Sequence, residues 1–321
     1  MSLAAHSVVI VTPVYEDLEA SSRLFKELAL QFKDEVFVVA VDDGSVRQPL
    51  DIICLQDAGI EGVIVRLRRN VGHQRAIAIG LAYVAERIQP EQRVVVMDSD
   101  GEDLASSIPG LLEPLSSDQV DVVVAQRASR IETFRFKAFY AVYKRLFSLM
   151  TGRAISFGNF MAVKPHALRR LVAMPELSIH VAGSVLASKL RTVASSQHRG
   201  PRYAGHSKMN FVGLALHGFK GLMVFAEDVL VRVGIACALI AALSIVGIMA
   251  AVLLKLLGFS TPGWFSVALG ILVLMILQTG ALALMTLMLT GVARASSITP
   301  LSSYHDFIDQ VSETTRRPDV T

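Results

Sequence analysis

The acidic residues best placed to do chemistry stand in two tight groups: Asp42 and Asp43, followed by Gly44 and Ser45, and Asp98, Asp100, Glu102 and Asp103, spaced by Ser99 and Gly101. Asp98 and Asp100 are one residue apart, so a turn can aim both carboxylates at a hard divalent cation. Such an ion keeps several waters and bridges ligand phosphates. Taken alone, an Asp-x-Asp reads sooner as a solvated turn than as a metal site, and Asp42 and Asp43 also suit helix caps or turns. Context favours the metal reading, because each group directly follows a β-branched run, Val36 to Val41 in one case and Val94 to Met97 in the other. Carboxylates carried at two strand ends can converge on one site.

The elements that would position them are legible as a pattern. Short β-rich runs at Val8 to Val11, Val36 to Val41, Val63 to Leu67, Val94 to Met97 and Val122 to Ala125 alternate with helical patterns. Leu18 to Phe32 and Gln74 to Ile88 space their apolar residues by three and four, as helices packed on a sheet do. The alternation predicts an α/β class with a mostly parallel sheet flanked by helices. Ligands of such sheets bind at the C-terminal strand ends. Both acidic groups fall there.

Composition splits the chain in two. Of 321 residues, 52% are hydrophobic and 18% charged, with a mean hydropathy of +0.49, high for a soluble enzyme yet compatible with one globular domain. The apolar excess lies in Gly234 to Leu254 and Phe265 to Ala293. Each is long enough to cross a hydrocarbon core of about 30 Å, which takes about 20 helical residues. No Asp, Glu, Lys or Arg interrupts either, as the cost of charge in lipid demands. A buried core helix is the other reading of such a stretch. The short linker from Gly258 to Gly263, with Pro262, makes the pair a tight hairpin with both termini on one side. Arg232, Arg294, Arg316 and Arg317 flank the outer ends against Lys255 near the linker, so the positive-inside rule expects a cytoplasmic N-terminal domain. The start of the chain lacks the n-region, h-region and cleavage site of a secretory leader.

A net charge of +3 without aromatic residues interleaved along a basic stripe argues against nucleic acid. Two distant cysteines, Cys54 and Cys237, suggest neither a disulfide framework nor a zinc site. The cations instead suit phosphates and anionic lipid heads. Phe134 to Met150 and Met209 to Ala226 mix aromatic and aliphatic residues with Arg and Lys, as helices at a membrane interface do; packing on the catalytic core is the alternative. The mixed run from Tyr304 to Val311 can pair as an edge strand with the catalytic domain or a neighbouring subunit.

With Thr12, Pro13, Val14, Tyr15 and Glu16 after the first strand, Val41 to Ser45 after the second, Arg69, Asn70, Val71 and Gly72 opening a helix, and the Asp98 to Asp103 stretch, the chain resembles family-2 glycosyltransferases of the GT-A, Rossmann-like fold. The C-terminal hairpin is similar to bacterial members of its dolichol-phosphate mannose synthase and bactoprenol glucosyltransferase branch. The resemblance implies an inverting transferase that moves one sugar from a nucleotide diphosphate sugar, UDP in preference to GDP, to a polyprenyl (undecaprenyl) phosphate at the cytoplasmic membrane face. Pro13, Tyr15, Glu16, Asp42 and Asp43, with Asn70 and Gly72, would surround the nucleoside, and Asp98 and Asp100, with Asp103 beside them, would form the catalytic metal motif for Mg2+ or Mn2+. The loop from Arg199 to Lys208 is similar to one that closes over the donor diphosphate, through Arg202, Ser207 and Lys208; Arg127 and Arg130 look like the pair for an acceptor phosphate. Both basic groups also fit solvated or lipid-facing clusters. The resemblance leaves room for a homo-oligomer, a dimer or tetramer.

Two departures bear on the acceptor. Ser156 to Met161 stands where the branch usually has Asp, Gly, Asp, Phe, Arg, and Gly101 to Ala105 departs from the usual residues after the metal motif. A phosphate acceptor needs no protein base, whereas a hydroxyl does, so the missing carboxylates fit a phosphate or a base elsewhere, such as Glu102, Asp103 or His180. His73 reads as a helix cap or a donor contact. The expected organisation is a catalytic domain at 1–208 with an interfacial helix near 134–150, an interfacial helix at 209–228, a membrane hairpin at 229–294 and a cytoplasmic tail at 295–321. A transferase acting on a lipid hydroxyl and a noncatalytic membrane subunit of the same fold are the alternatives.

Overall fold

The computed structural model describes residues 3–127, 134–154, 156–203, 211–259, 263–296 and 301–314. The chain runs β1 (Val8–Val14), α1 (Leu18–Phe32), β2 (Val36–Asp42), α2 (Ile53–Ala58), β3 (Glu61–Leu67), α3 (His73–Ala85), β4 (Arg93–Val96), α4 (Ile108–Leu112), β5 (Val122–Arg127), α5 (Phe134–Thr151), β6 (Met161–Val163), α6 (Pro165–Val172), α7 (Val181–Ala187), β7 (Thr192–Gln197), α8 (Phe211–Met223), α9 (Ala226–Leu256), α10 (Trp264–Ser296) and β8 (Ile308–Glu313). It divides into two compact units.

In the first unit, eight strands among the described residues form one sheet in the order β7-β5-β6-β4-β1-β2-β3-β8. Pairings are parallel except for β6, between β4 and β5, and β8, which closes the edge beside β3. Every residue of β1 and β2 is buried, which explains their unbroken apolar runs: a parallel sheet covered on both faces has no solvent side to alternate with. Val9 and Val11 face one core layer with Ile77 and Leu81 of α3, while Val8 and Ile10 face the other with Leu24, Phe25 and Leu28 of α1. A Cβ on Gly80 would lie 2.7 Å from Val11 and Val41 side-chain carbons, so glycine lets α3 sit directly on β1 and β2. The predicted edge strand is β8, and Tyr304 just before it is buried in the α3 layer.

The order of strands places the site. From β1 the chain moves to β2 and β3 on one side and to β4 on the other, so the crevice between the C-terminal ends of β1 and β4 is the topological switch point. Asp98 and Asp100 follow β4 immediately.

The second unit comprises Leu149–Gly152 and Phe225–Ile298. Its helices α9, of 31 residues, and α10, of 33, pack along one another. Leu272 fills the space beside Gly247, and the Lys255 ammonium lies 4.0 Å from the Phe265 ring centre. Leu239, Leu243, Met249, Leu256, Leu277 and Leu284 are exposed. Both helices are long and apolar enough, by length and composition, to cross a membrane.

Candidate active site

At the ends of β1 and β2 the acidic side chains organise loops. Glu16 adopts a positive φ of 48°, and its carboxylate accepts hydrogen bonds from the backbone N–H groups of Val46, Arg47 and Gln48 at 2.8 to 3.2 Å. Those donors hold it below the usual carboxylate pKa. Asp42 is wholly buried. Its oxygens accept from Ser45 N–H at 3.0 Å and Leu50 N–H at 3.1 Å, and Arg66 lies 3.7 Å away. Asp43 accepts from Val71 and Gly72 N–H at 2.7 and 3.0 Å; burial outweighs these bonds and pushes its pKa up. The two turns approach so closely that a Cβ on Gly44 would stand 2.5 Å from the carbonyl carbon of Arg69, and Gly44 has a φ of 69°. Only glycine satisfies both demands. Pro13 fixes the neighbouring segment by accepting from the Ser99 hydroxyl at 3.1 Å. Tyr15 is 44% exposed, Asn70 is exposed and Gly72 half-buried.

The acids after β4 meet charged groups from elsewhere in the chain. Asp103 accepts from Asp98 N–H at 2.9 Å and Asp100 from Glu102 N–H at 3.0 Å, which curls the turn. Arg202 then bridges two carboxylates, with Nη2 2.7 Å from Asp100 Oδ2 and Nε 3.0 Å from Glu102 Oε1. Arg199 also pairs with Glu102. Main-chain bonds from Gly200 N–H to Glu102 O and from Tyr203 N–H to Asp100 O hold the segments together. Gly101, at φ 90°, makes room for the Tyr203 ring. That tyrosine donates to Glu27 and lies under the Arg23 guanidinium. Burial, then the charge of Asp98, raises the Asp100 pKa against the opposing arginines.

Three more residues join this cluster: His73, which the sequence offered as a helix cap or a donor contact, and Gln74 and Asn159, to which it gave no role. His73, first residue of α3, brings Nε2 to 3.2 Å from Asp98 Oδ1 and 3.1 Å from the Asn159 amide nitrogen. Burial alone would lower the His73 pKa, but Asp98, Asp100 and Asp103 outweigh it and raise it. Gln74 donates to Asn159 at 3.2 Å and accepts from Val181 N–H at 2.7 Å. The signal in the sequence was the helix start at Gly72, which points the first side chains of α3 toward the strand ends. Next to this group His180 and His217 bring their Nε2 atoms within 3.2 Å; burial, reinforced by His217, lowers the His180 pKa to about 3. A neutral His180 whose Nδ1 accepts from Gly183 N–H is an N-cap, not a general base.

Asp98, Glu102 and Asp103 line a cleft with Asn159, His198 and Arg199. The backbone of Arg127 ends β5, while its side chain, Arg130, Ser207 and Lys208 lie outside the described residues, as do the side chains of Arg294, Arg316 and Arg317. Among the described residues no group of three or more His, Cys, Asp or Glu is arranged to hold a metal alone. The donor set nevertheless fits a hard cation: the charge of Asp98 disfavours ionisation of Asp100, and a pair of carboxylates is what Mg2+ shares with substrate phosphates and water.

Residues 9–176 of the 321 match the sequence model of Glycosyl transferase family 2. The chain belongs to that family. This glycosyltransferase is similar to two uncharacterized glycosyltransferases of Bacillus subtilis strain 168: YkcC, 28% identical over 267 residues with 80% of each chain covered, and YkoT, 25% identical over 236 residues with 73% of this chain and 69% of the relative covered. Its fold is shared with glucosyl-3-phosphoglycerate synthase from Mycobacterium tuberculosis, at 14% identity and a TM-score of 0.51 over 70% of this chain and 80% of that one. That structure contains Mn2+, UDP-glucose and phosphoglyceric acid. The family-2 transferase is therefore a GT-A α/β domain, as the resemblance of its motifs implies, with two apolar helices in the same chain.

Proposed function

We propose that this family-2 transferase moves one sugar, with inversion, from a nucleotide diphosphate sugar, UDP in preference to GDP, to a polyprenyl phosphate at the cytoplasmic face of the membrane. The observation that carries the reading is the union in one chain of a family-2 catalytic domain with two helices long and apolar enough to cross a membrane. An enzyme anchored in lipid meets a lipid acceptor at the surface where it sits. Exposed Leu146, Leu216, Phe219 and Met223 beside Lys144, Arg145 and Lys220 support an interfacial role for α5 and α8.

In this reading Pro13, Tyr15, Glu16, Asn70 and Gly72 surround the nucleoside, with Asp42 and Asp43 holding the loops that shape its pocket. Asp98 and Asp100 would hold Mg2+ or Mn2+; Mn2+ accompanies UDP in the structure of the Mycobacterium tuberculosis enzyme. A cation held there would supply Lewis-acid stabilisation of the charge on the departing nucleotide. Arg202, Ser207 and Lys208 bind the donor diphosphate; Arg127 and Arg130 bind the acceptor phosphate. The acceptor oxygen attacks the anomeric carbon from the face opposite the nucleotide, and the bond from that carbon to the diphosphate breaks. A phosphate monoester arrives as an anion and needs no base. The cleft suits this: Asp103 is committed to Asp98 N–H, Glu102 to two arginines, and residue 159 is an asparagine.

The test is nucleotide diphosphate release by purified protein in detergent with Mn2+ or Mg2+, UDP- and GDP-sugars, with and without undecaprenyl phosphate. Release that requires the lipid and is lost in Asp100→Ala is the expected result. Release with a lipid hydroxyl acceptor but not with the phosphate overturns the acceptor; donor binding with no turnover on any lipid favours a noncatalytic subunit.

A further inference from the structure

The salt bridge between Arg202 and Asp100 puts a guanidinium where the proposed cation must bind. Arg202 is not a surface residue that happens to lie nearby. Its Nη2 meets Asp100 at 2.7 Å, its Nε meets Glu102 at 3.0 Å, and the adjoining Tyr203 N–H donates to Asp100 O at 2.9 Å. Arg199 neutralises the other side of Glu102, and Tyr203 is fastened to Glu27 under Arg23. This places one positive charge, delivered from about a hundred residues away in sequence, against the carboxylate best suited to a divalent ion.

We infer that Arg202 and the metal compete for Asp100, and that the donor diphosphate resolves the competition by giving Arg202 a new partner. The inference rests on the metal assignment made above and adds an order to it. Without nucleotide, a cation entering at Asp98 and Asp100 must displace the guanidinium from Asp100, so metal alone binds weakly. When metal and diphosphate arrive together, Arg202 remains tethered through Glu102 while its Nη groups donate to phosphate oxygens in place of Asp100. Metal and nucleotide then bind with positive coupling, which by linkage is the same in either order. The device keeps the acidic turn neutralised in the empty enzyme, since unpaired carboxylates in a half-buried cleft repel one another. Glu102 is the positioning residue, because it keeps Arg202 at the site in both states.

Mn2+ binding to the full chain in detergent, read from the free-ion signal in electron paramagnetic resonance with and without UDP, tests this without any turnover. Arg202→Gln is expected to bind Mn2+ alone about tenfold more tightly than the wild type, the size of one charge-assisted hydrogen bond. It should also lose most of the gain that UDP confers. Arg202→Lys, which keeps the charge, is expected to stay near wild type. Unchanged or weaker Mn2+ binding in Arg202→Gln overturns the competition. Asp100→Asn separates the two levels: if it leaves Mn2+ binding intact, the metal assignment fails and the inference with it, whereas loss in Asp100→Asn beside an unchanged Arg202→Gln sinks the competition alone. Phenylglyoxal labelling of the wild type supplies a readout independent of any variant's folding. Mn2+ alone should speed modification of Arg202 and Mn2+ with UDP should slow it; a rate indifferent to Mn2+ alone overturns the proposal.

Discussion

At the end of β2 the carboxylates of Asp42 and Asp43 accept hydrogen bonds from the backbone N–H groups of Ser45, Leu50, Val71 and Gly72. At the end of β4, by contrast, Asp100 meets the guanidinium of Arg202 and Asp98 the imidazole of His73. The same residue type at equivalent places in one sheet thus has two occupations. A carboxylate whose oxygens are filled by main-chain donors has little capacity left for a ligand and serves the shape of the pocket. One that faces mobile side-chain cations can exchange them for a metal ion. On the proposed reading, electrostatic geometry, rather than the presence of an acid at a strand end, separates scaffold from chemistry.

The comparison breaks if the two regions respond alike to loss of a carboxylate. Asp100→Ala should lower kcat/KM for sugar transfer on the order of a thousandfold, several kcal/mol of transition-state stabilisation, while thermal unfolding in detergent stays close to wild type. Asp42→Ala should do the reverse. Removing a fully buried acceptor strands two backbone donors and leaves Arg66 without its counter-ion, at a cost of about 3 kcal/mol in stability, visible as a drop in Tm and in yield of folded protein. Equal losses of activity at equal stability in the two variants would erase the distinction.

Smaller effects sharpen it. Gly44→Ala imposes a disfavoured positive φ and a clash with the Arg69 backbone, and should cost about 2 kcal/mol; limited proteolysis around residues 69–72 is expected to accelerate with it. Glu16→Gln tests the loop through pH. Backbone donors depress the folded pKa of Glu16 below its ordinary value of 4.5, so the stabilisation is present above that value and is lost as pH falls through the folded pKa. The Tm difference between wild type and Glu16→Gln should therefore be widest near neutrality and close on acidification. A difference that grows toward acid would refute the assignment of those donors.

Much of the frame was legible because it is local. The bounds of α1 coincide with the apolar spacing from Leu18 to Phe32, and five strand runs became β1 to β5. Short strands escaped: β6, though apolar and buried, has only three residues, too few for its pattern to stand out, and β7, Thr192–Gln197, is mostly exposed and rich in Ser. The polar edge strand β8 was anticipated as one of two pairings, and its partner proved to be β3. In the site, the acids were legible by position, but not their partners. Nothing adjacent to His73 announces Asp98, 25 residues on, nor does Arg202 announce Asp100.

By itself the sequence determined the class of fold, the two apolar helices and the placing of acids at strand ends, because each follows from burial periodicity or transfer cost read within a short window. Only the tertiary structure decided which carboxylates are occupied by the backbone and which face a cation. That choice depends on distances between segments far apart in the chain, such as the 2.7 Å from Arg202 to Asp100, and Coulomb and hydrogen-bond energies act through those distances rather than through spacing along the sequence.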